Sequence, residues 1–209
     1  MSIKENYSEV LNKIKDTHVT LLVVSKYHTA DEIMEVYNLG QREFAENKVQ
    51  DMVKKMEEVP KDIKWHLIGH LQRNKVKYII GKTALIHSLD SLELAEEINK
   101  RSENAGVVTE CLVQINSTGI EDRFGVNFDD AEDFINSLLK FKNIKIRGFM
   151  GMAPITDTPD KYFSKLSDLF DKYKERFENP ILSMGMSSDF ESAIQCGSNM
   201  IRLGSTIFK

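Results

Sequence analysis

The sequence contains few of the residues that cross-link, kink or strongly charge a protein. Its 209 residues include two cysteines and four prolines, and its formal net charge is −4. Cys111 and Cys196 are far apart and form no CxxC spacing, so we expect free thiols and neither a disulfide nor a metal site. A net negative chain also lacks the basic face that nucleic acids and anionic membranes require. A small-molecule ligand is therefore favoured over both.

Long apolar segments are absent as well. No run approaches the roughly 18 apolar residues of a membrane-spanning helix, and the amino terminus, MSIKENYSEV, lacks the apolar core of a secretory signal. We therefore expect a cytoplasmic protein. Its 41% hydrophobic and 29% charged residues are typical of a globular chain, and its length allows a single domain over residues 1–209.

Short β-rich apolar runs alternate with longer amphipathic segments along the whole chain. This alternation is typical of parallel βαβ units. Eight runs qualify as strands, and eight strands predict an α/β fold of the single (β/α)₈ barrel type. The predicted strands are residues 20–25, 43–46, 65–69, 84–87, 110–115, 145–150, 181–184 and 200–203.

The segments between these strands carry the helical spacing of apolar residues. Residues 160–177 show it best, because Phe163, Leu166, Phe170 and Tyr173 recur every three or four positions and form a stripe that would face a core. Residues 1–16 predict a leading helix that would cover one end of the barrel. The other predicted helices are residues 30–39, 92–101 and 128–140.

Lys26 ends the first predicted strand, and in barrels of this kind the chemistry sits at the carboxyl ends of the strands. Alternation places Leu22, Val24 and Lys26 on one face, which would aim the amine at the mouth of the barrel. With a lowered pKa, such an amine becomes a nucleophile towards an aldehyde. The alternative is that Lys26 simply begins a solvated loop.

Two serine-rich segments, residues 187–191 and 204–206, follow the last two predicted strands. In the first, Ser188 and Glu191 have the spacing of a capping box at a helix start. Amides, hydroxyls and a glycine could together form a neutral phosphate cradle, which barrels often place after strands seven and eight. The alternative is that both segments are ordinary caps and turns. The residues concerned are Ser187, Ser188, Gly204, Ser205 and Thr206.

Arg202 lies in the apolar run Met200–Leu203, where a guanidinium requires a partner. That partner is either a carboxylate of the protein or a ring nitrogen of a ligand, and the sequence leaves both open. His66 and His70 are four residues apart, but Leu67 replaces the glutamate of a zinc-binding helix. Residues 65–69 are also a predicted strand, in which residues four apart do not converge, so we expect no zinc site. His18, His28 and His87 are isolated in the sequence, and we interpret them as satisfied surface or core histidines.

Six blocks of the sequence, in order, resemble the pyridoxal phosphate homeostasis protein family, which is similar in fold to the barrel domain of alanine racemase. The resemblance covers nearly the whole chain. The blocks are VVSK at 23–26, FAENKVQ at 44–50, WHLIGHLQRNK at 65–75, GFMGMA at 148–153, SMGMSSD at 183–189 and IRLGSTIF at 201–208. One departure is Arg123, where the family usually has a lysine.

The resemblance implies a cofactor, pyridoxal 5′-phosphate, and a role for each candidate residue. Lys26 would form the Schiff base, and Arg202 would face the pyridine nitrogen. Asn47 would lie near the cofactor. The phosphate would be held by Ser187 with Gly204, Ser205 and Thr206, and Ser188 belongs to the same segment.

Three functions are compatible with such a site. The first is a carrier or buffer of the cofactor, which supplies apo forms of other enzymes and has little or no catalytic turnover. The second is an amino-acid racemase or a related carbanion enzyme, and the third is an interaction scaffold with a vestigial site. The chain ends with the loop of the eighth strand, so we expect no second domain to supply the opposing base that alanine racemase uses. We also expect a monomer.

Overall fold

Eight parallel strands close into a barrel in the computed structural model, which describes residues 2–119, 123–155 and 158–209. The strands follow one another around the barrel in chain order, and the last pairs with the first. The predicted fold is confirmed, and the predicted strands overlap the observed ones with ends shifted by one or two residues at most. The strands are β1 (Thr20–Val24), β2 (Glu43–Glu46), β3 (Lys64–Leu67), β4 (Leu85–Leu89), β5 (Thr109–Gln114), β6 (Ile144–Met150), β7 (Ile181–Ser183) and β8 (Met200–Leu203).

Helices cover the outside of the barrel. A 3₁₀ helix, Arg73–Tyr78, connects β3 to β4, and a second, Lys174–Arg176, extends α6. None of the helices in the described part of the chain has the length and apolar character needed to cross a membrane. The α-helices are α1 (Ile3–Ile14), α2 (Ala30–Asn38), α3 (Val49–Glu58), α4 (Leu92–Ala105), α5 (Ala131–Leu138), α6 (Asp160–Tyr173) and α7 (Phe190–Gln195).

The leading helix α1 lies in the outer layer and does not cover an end of the barrel, so that expectation is wrong. Its Val10 and Ile14 join the core cluster beneath the helices. Lys13 Nζ donates to Glu191 Oε1 of α7 at 2.9 Å, and Asn6 Nδ2 donates to the carbonyl of Ile207 at 3.1 Å. The helix therefore fills the place beside β8 where an eighth outer helix would stand.

The strands separate two apolar layers. Leu21 and Val23 of β1 belong to the large cluster between strands and helices, whereas Leu22 and Val24 belong to a small cluster inside the barrel. The α6 stripe is buried as predicted. Cys111 of β5 is fully buried on the helix side. Alternate residues of each strand thus fill the interior, and the same alternation directs Lys26, two residues after β1, towards the barrel mouth.

Candidate functional site

A cavity of about 460 Å³ opens at the carboxyl ends of the strands. This volume lies within the range of small-ligand sites. All but one of the predicted site residues line it: Lys26, Asn47, Ser187, Ser188, Arg202, Gly204 and Ser205. The remainder of the wall is mostly apolar, and the residues used below are Val24, Gly69, His70 and Phe124.

Thr206 is the predicted residue that does not line this cavity. It lies in a neighbouring cleft beside α1 and α7. Its backbone N–H donates to Ser187 Oγ at 3.3 Å, and this bond joins the loops after β7 and β8. Thr206 therefore fixes the position of Ser187 and contributes to the cavity only indirectly, by positioning that serine.

Lys26 is exposed and stands in a tight turn at the end of β1. The N–H of His28 donates to the carbonyl of Ser25 at 3.0 Å, which closes the turn. Tyr27 has a φ of 70°, a left-handed conformation that is uncommon for a residue with a large side chain. The Lys26 amine is thus presented to the cavity by a backbone with little freedom.

A buried ion pair beneath this turn was not predicted from the sequence. Glu46 Oε1 accepts a hydrogen bond from Ser25 Oγ at 2.7 Å and another from Lys55 Nζ at 2.5 Å. Lys55 Nζ also donates to the Ser25 carbonyl at 2.7 Å. The signal that could have revealed it is a glutamate at the end of a buried strand, since such a carboxylate needs a cation. The pair fixes the residue that precedes Lys26.

The loops after β7 and β8 approach each other closely. A Cβ atom on Gly204 would lie 2.9 Å from the carbonyl oxygen of Val24, so only glycine fits against β1. The predicted helix start at Ser188 is wrong: α7 begins at Phe190, with Asp189 before it. Asp189 Oδ1 accepts the N–H of Met186 at 2.6 Å, which leaves the Ser188 hydroxyl free of the predicted capping role.

Arg202 is buried and bound to neutral oxygens. Its Nη1 donates to the carbonyl and the Oγ of Ser183 at 2.7 and 2.8 Å, and its Nη2 donates to the carbonyl of Gly151 at 3.0 Å. No carboxylate among the described residues forms an ion pair with Arg202. Of the two partners that the sequence left open, a protein carboxylate is therefore not the one observed. Burial lowers the pKa of Arg202 to about 10, and the guanidinium remains charged at neutral pH.

Asn47 and Gly69 meet at another wall of the cavity. A Cβ on Gly69 would lie 2.1 Å from the Asn47 carbonyl oxygen, so the glycine is required for this approach. The side-chain Oδ1 of Asn47 is buried without a hydrogen-bond partner in the described part of the chain. A buried acceptor without a partner is costly, and a ligand donor in the cavity would relieve it.

His70 lines the cavity, which the sequence analysis did not predict. Its ring stacks on Phe124 with 3.9 Å between centroids, and its Nδ1 lies 3.7 Å from Asp90 Oδ2. Burial raises the pKa of Asp90. His70 thus places an imidazole at the cavity wall, next to the Asp90 carboxyl.

His66 and His87 lie inside the barrel, below the cavity. His66 Nδ1 and His87 Nε2 are 2.9 Å apart, so the interpretation of His87 as a satisfied core histidine is confirmed. The described residues contain no cluster of three metal-ligating side chains. These histidines therefore belong to a hydrogen-bond network.

Comparison with known proteins shows the family to which the chain belongs. The family model of the alanine racemase N-terminal domain matches residues 1–209, and the chain belongs to that family. Within it, the chain is similar to two curated pyridoxal phosphate homeostasis proteins. It is 38% identical over 223 residues to that of Aquifex aeolicus, covering 100% of this chain and 98% of that protein. It is 42% identical over 199 residues to that of Helicobacter pylori, covering 91% and 87%.

Solved structures of similar fold include PipY and an alanine racemase. PipY of Synechococcus elongatus, in a structure with PLP bound, superposes with a TM-score of 0.89 at 31% identity, covering 100% of both chains. Alanine racemase of Clostridium difficile has a TM-score of 0.81 at 17% identity, covering 99% of this chain and 56% of that one. The second likeness concerns the fold alone.

Proposed function

We propose that this chain binds pyridoxal 5′-phosphate as a Schiff base on Lys26 and carries or buffers it, with little or no catalytic turnover. One observation carries the proposal: a strand-end amine, two serine-bearing loops and a buried guanidinium line the same cavity. The names of the curated relatives and the PLP-bound PipY structure support the choice of ligand.

Each group has a separate task in this proposal. Lys26 supplies the amine that condenses with the aldehyde, while the amides and hydroxyls at Ser187, Ser188, Gly204 and Ser205 meet the phosphate. Arg202 offers its remaining N–H groups to the ring nitrogen, and Asn47 Oδ1 accepts from a ligand hydroxyl. When bound, the cofactor supplies a reactive aldehyde and a conjugated ring that can take up electrons.

The physiological setting follows from the same proposal. We propose a cytoplasmic monomer that hands the cofactor to apo forms of enzymes that depend on it. Both cysteines are free, which fits a reducing compartment.

The test of the cofactor site is spectroscopic. We expect the purified protein to be yellow, and Lys26→Ala to lose the visible band of the Schiff base, because the amine is gone. Borohydride reduction followed by peptide mapping should place the label on Lys26. Lys48→Ala is the matched control, because Lys48 is an exposed lysine that does not line the cavity. A label on another lysine, or a colourless wild type, would contradict the proposal.

A second candidate function is an amino-acid racemase or related carbanion enzyme, and His70 is the observation that favours it. Such chemistry needs a group besides Lys26 to give or take a proton at the substrate carbon. His70 lies at the cavity wall beside Asp90. The two functions differ in whether an amino acid exchanges its α-proton.

A further inference from the structure

A chain of hydrogen bonds crosses the interior of the barrel from Arg202 to Glu43. Arg202 Nη1 lies 2.8 Å from Ser183 Oγ, and Ser183 Oγ lies 3.2 Å from His87 Nδ1. His87 Nε2 lies 2.9 Å from His66 Nδ1, and His66 Nε2 lies 2.7 Å from Glu43 Oε2. The chain links β8, β7, β4, β3 and β2, so it runs from the cavity to the opposite end of the barrel.

The chemistry of the two ends favours one continuous direction for the bonds of this chain. Arginine only donates, and an ionised carboxylate only accepts. Arg202 therefore donates to Ser183 Oγ, whose hydroxyl donates to His87 Nδ1. The remaining ring N–H of His87 donates to His66, and that of His66 donates to Glu43. All donors point away from the cavity in this arrangement, and each ring donates one hydrogen bond and accepts one.

Electrostatics favour the same arrangement. His87 is fully buried, and burial, followed by the neighbouring His66 and Arg202, lowers the pKa of His87 well below its usual value. Burial raises the pKa of Glu43, but hydrogen bonds from His66 and Lys64 outweigh burial and hold this pKa below its usual value. Lys64 Nζ is the other cation at this end, 2.9 Å from Glu43 Oε1.

We propose that Ser183, His87, His66 and Glu43 form a positioning relay that orients Arg202 and balances its charge with that of Glu43. The proposal rests on the proposed function, in which Arg202 faces the ring nitrogen of the cofactor. The two Nη1 contacts of Arg202 to Ser183 fix the plane of the guanidinium, and that plane decides where its remaining N–H groups point. The four relay residues are not in the lining of the cavity, so they act through Arg202.

If the relay is broken, Arg202 keeps its backbone acceptors but loses the bond that ties it to a negative charge. A buried hydrogen bond to a charged group is strong because water cannot replace it. The guanidinium then becomes free to turn away from the ring nitrogen. Contacts to the phosphate and to Lys26 do not depend on this orientation, so the loss should be specific to the ring nitrogen.

The experiment compares two ligands on the full-length protein. One is pyridoxal 5′-phosphate, and the other is its analogue in which a C–H group replaces the ring nitrogen. The variants are Ser183→Ala, which removes the link next to Arg202, and Glu43→Gln, which removes the charge at the far end but keeps an acceptor. Ser183→Thr restores a hydroxyl, and Lys64→Gln is the control at the exposed end.

We expect Ser183→Ala and Glu43→Gln to bind the natural cofactor about three- to tenfold more weakly, as for the partial loss of a charged hydrogen bond. Affinity for the analogue should be unchanged, Ser183→Thr should recover part of the loss, and Lys64→Gln should bind like the wild type. If Ser183→Ala does not fold, Glu43→Gln carries the test alone.

Equal losses for both ligands would indicate a merely structural role and overturn the relay. Unchanged affinity for the natural cofactor in both variants would overturn it too, as would a wild type that binds both ligands equally well. Failure of the wild type to bind the natural cofactor at all is a different result, because it contradicts the proposed function itself.

Discussion

At the scale of single residues, the buried His87 makes the stability of the fold depend on pH. Its folded pKa is lowered, chiefly by burial, whereas in the unfolded chain it takes up a proton near pH 6.5. Below that pH the unfolded state binds more protons than the folded state, so the free energy of unfolding falls as the pH falls. The contribution of His87 is fully present above its unfolded pKa.

We therefore expect the free energy of unfolding to fall by up to about 1.4 kcal/mol per pH unit below roughly pH 6.5 on account of this one group. His87→Gln cannot titrate, so its stability should fall less steeply with pH even if it is lower throughout. Denaturant unfolding at a series of pH values from 7 to about 5 would measure both slopes. Equal slopes would mean that His87 is not neutral in the fold.

The hydroxyl groups beside the cavity provide a second prediction at this scale. Replacing Ser187 or Ser205 by alanine removes one hydrogen bond to an anion, worth about 1.5–3 kcal/mol, or roughly ten- to hundredfold in affinity. No single change should abolish binding, because backbone amides remain. The triple alanine variant of Ser187, Ser205 and Thr206 should lose more, as measured by cofactor titration. Undiminished affinity in that variant would place the phosphate elsewhere.

The sequence indicates strand-end residues well and buried networks poorly. Lys26, Ser187 and Arg202 each follow or end an apolar run, which is a local signal. The relay has no such signal, since His87 is 21 residues from His66 and 96 residues from Ser183. Their contact depends on which side of each strand faces inwards, and only barrel closure brings those sides together.

At the scale of elements, the end of β1 is held by a side chain from α3. Lys55 is 12% exposed and Glu46 is fully buried, so removing the cation leaves a carboxylate uncompensated. We expect Lys55→Met to lower the free energy of unfolding by about 3 kcal/mol, as for a broken buried pair. It should also slow Schiff base formation by loosening the turn that presents Lys26.

Lys54→Met is the matched control, because Lys54 is exposed on the same helix and should change stability by less than about 0.5 kcal/mol. Denaturant unfolding and the rate at which the visible band appears give the two readouts. Similar effects of the two substitutions would show that the Lys55–Glu46 pair does not hold this turn.

Periodicity predicted the elements better than their ends. The strands β2 and β8 match their predicted bounds, because charged or turn residues flank them. The start of α7 was misplaced, since Asp189 binds the Met186 amide and displaces the predicted cap. The position of α1 was also misjudged, because an amphipathic pattern shows that a helix packs but not on which surface.

At the scale of the whole molecule, the central question is whether the bound cofactor is put to catalytic use. Arg202, with a pKa of about 10, remains a donor at neutral pH, so it cannot accept a hydrogen bond from a protonated ring nitrogen. A ring nitrogen left unprotonated withdraws electrons weakly. His70 lines the same cavity as Lys26 and is the candidate for proton transfer in the second proposed function. Its ring is held by the stack on Phe124.

We expect no racemisation of alanine or other common amino acids above the rate of free cofactor, together with transfer of the cofactor to an apo-enzyme. Measurement of deuterium uptake at the α-carbon in D₂O tests the first part, and recovery of apo-enzyme activity tests the second. Exchange with inversion that disappears in both Lys26→Ala and His70→Ala would favour the racemase instead.

The reactivity of the buried Cys111 thiol can be used to measure how often the barrel opens. Burial raises the pKa of this thiol, and the thiol lies between β5 and the helices with no exposed surface. An alkylating reagent can reach it only when strands and helices separate. With the half-buried Cys196 changed to serine, the rate of alkylation of Cys111 would measure the population of opened molecules under native conditions. A bound ligand should lower that rate, and the size of the decrease would show how strongly ligand binding stabilises the closed barrel.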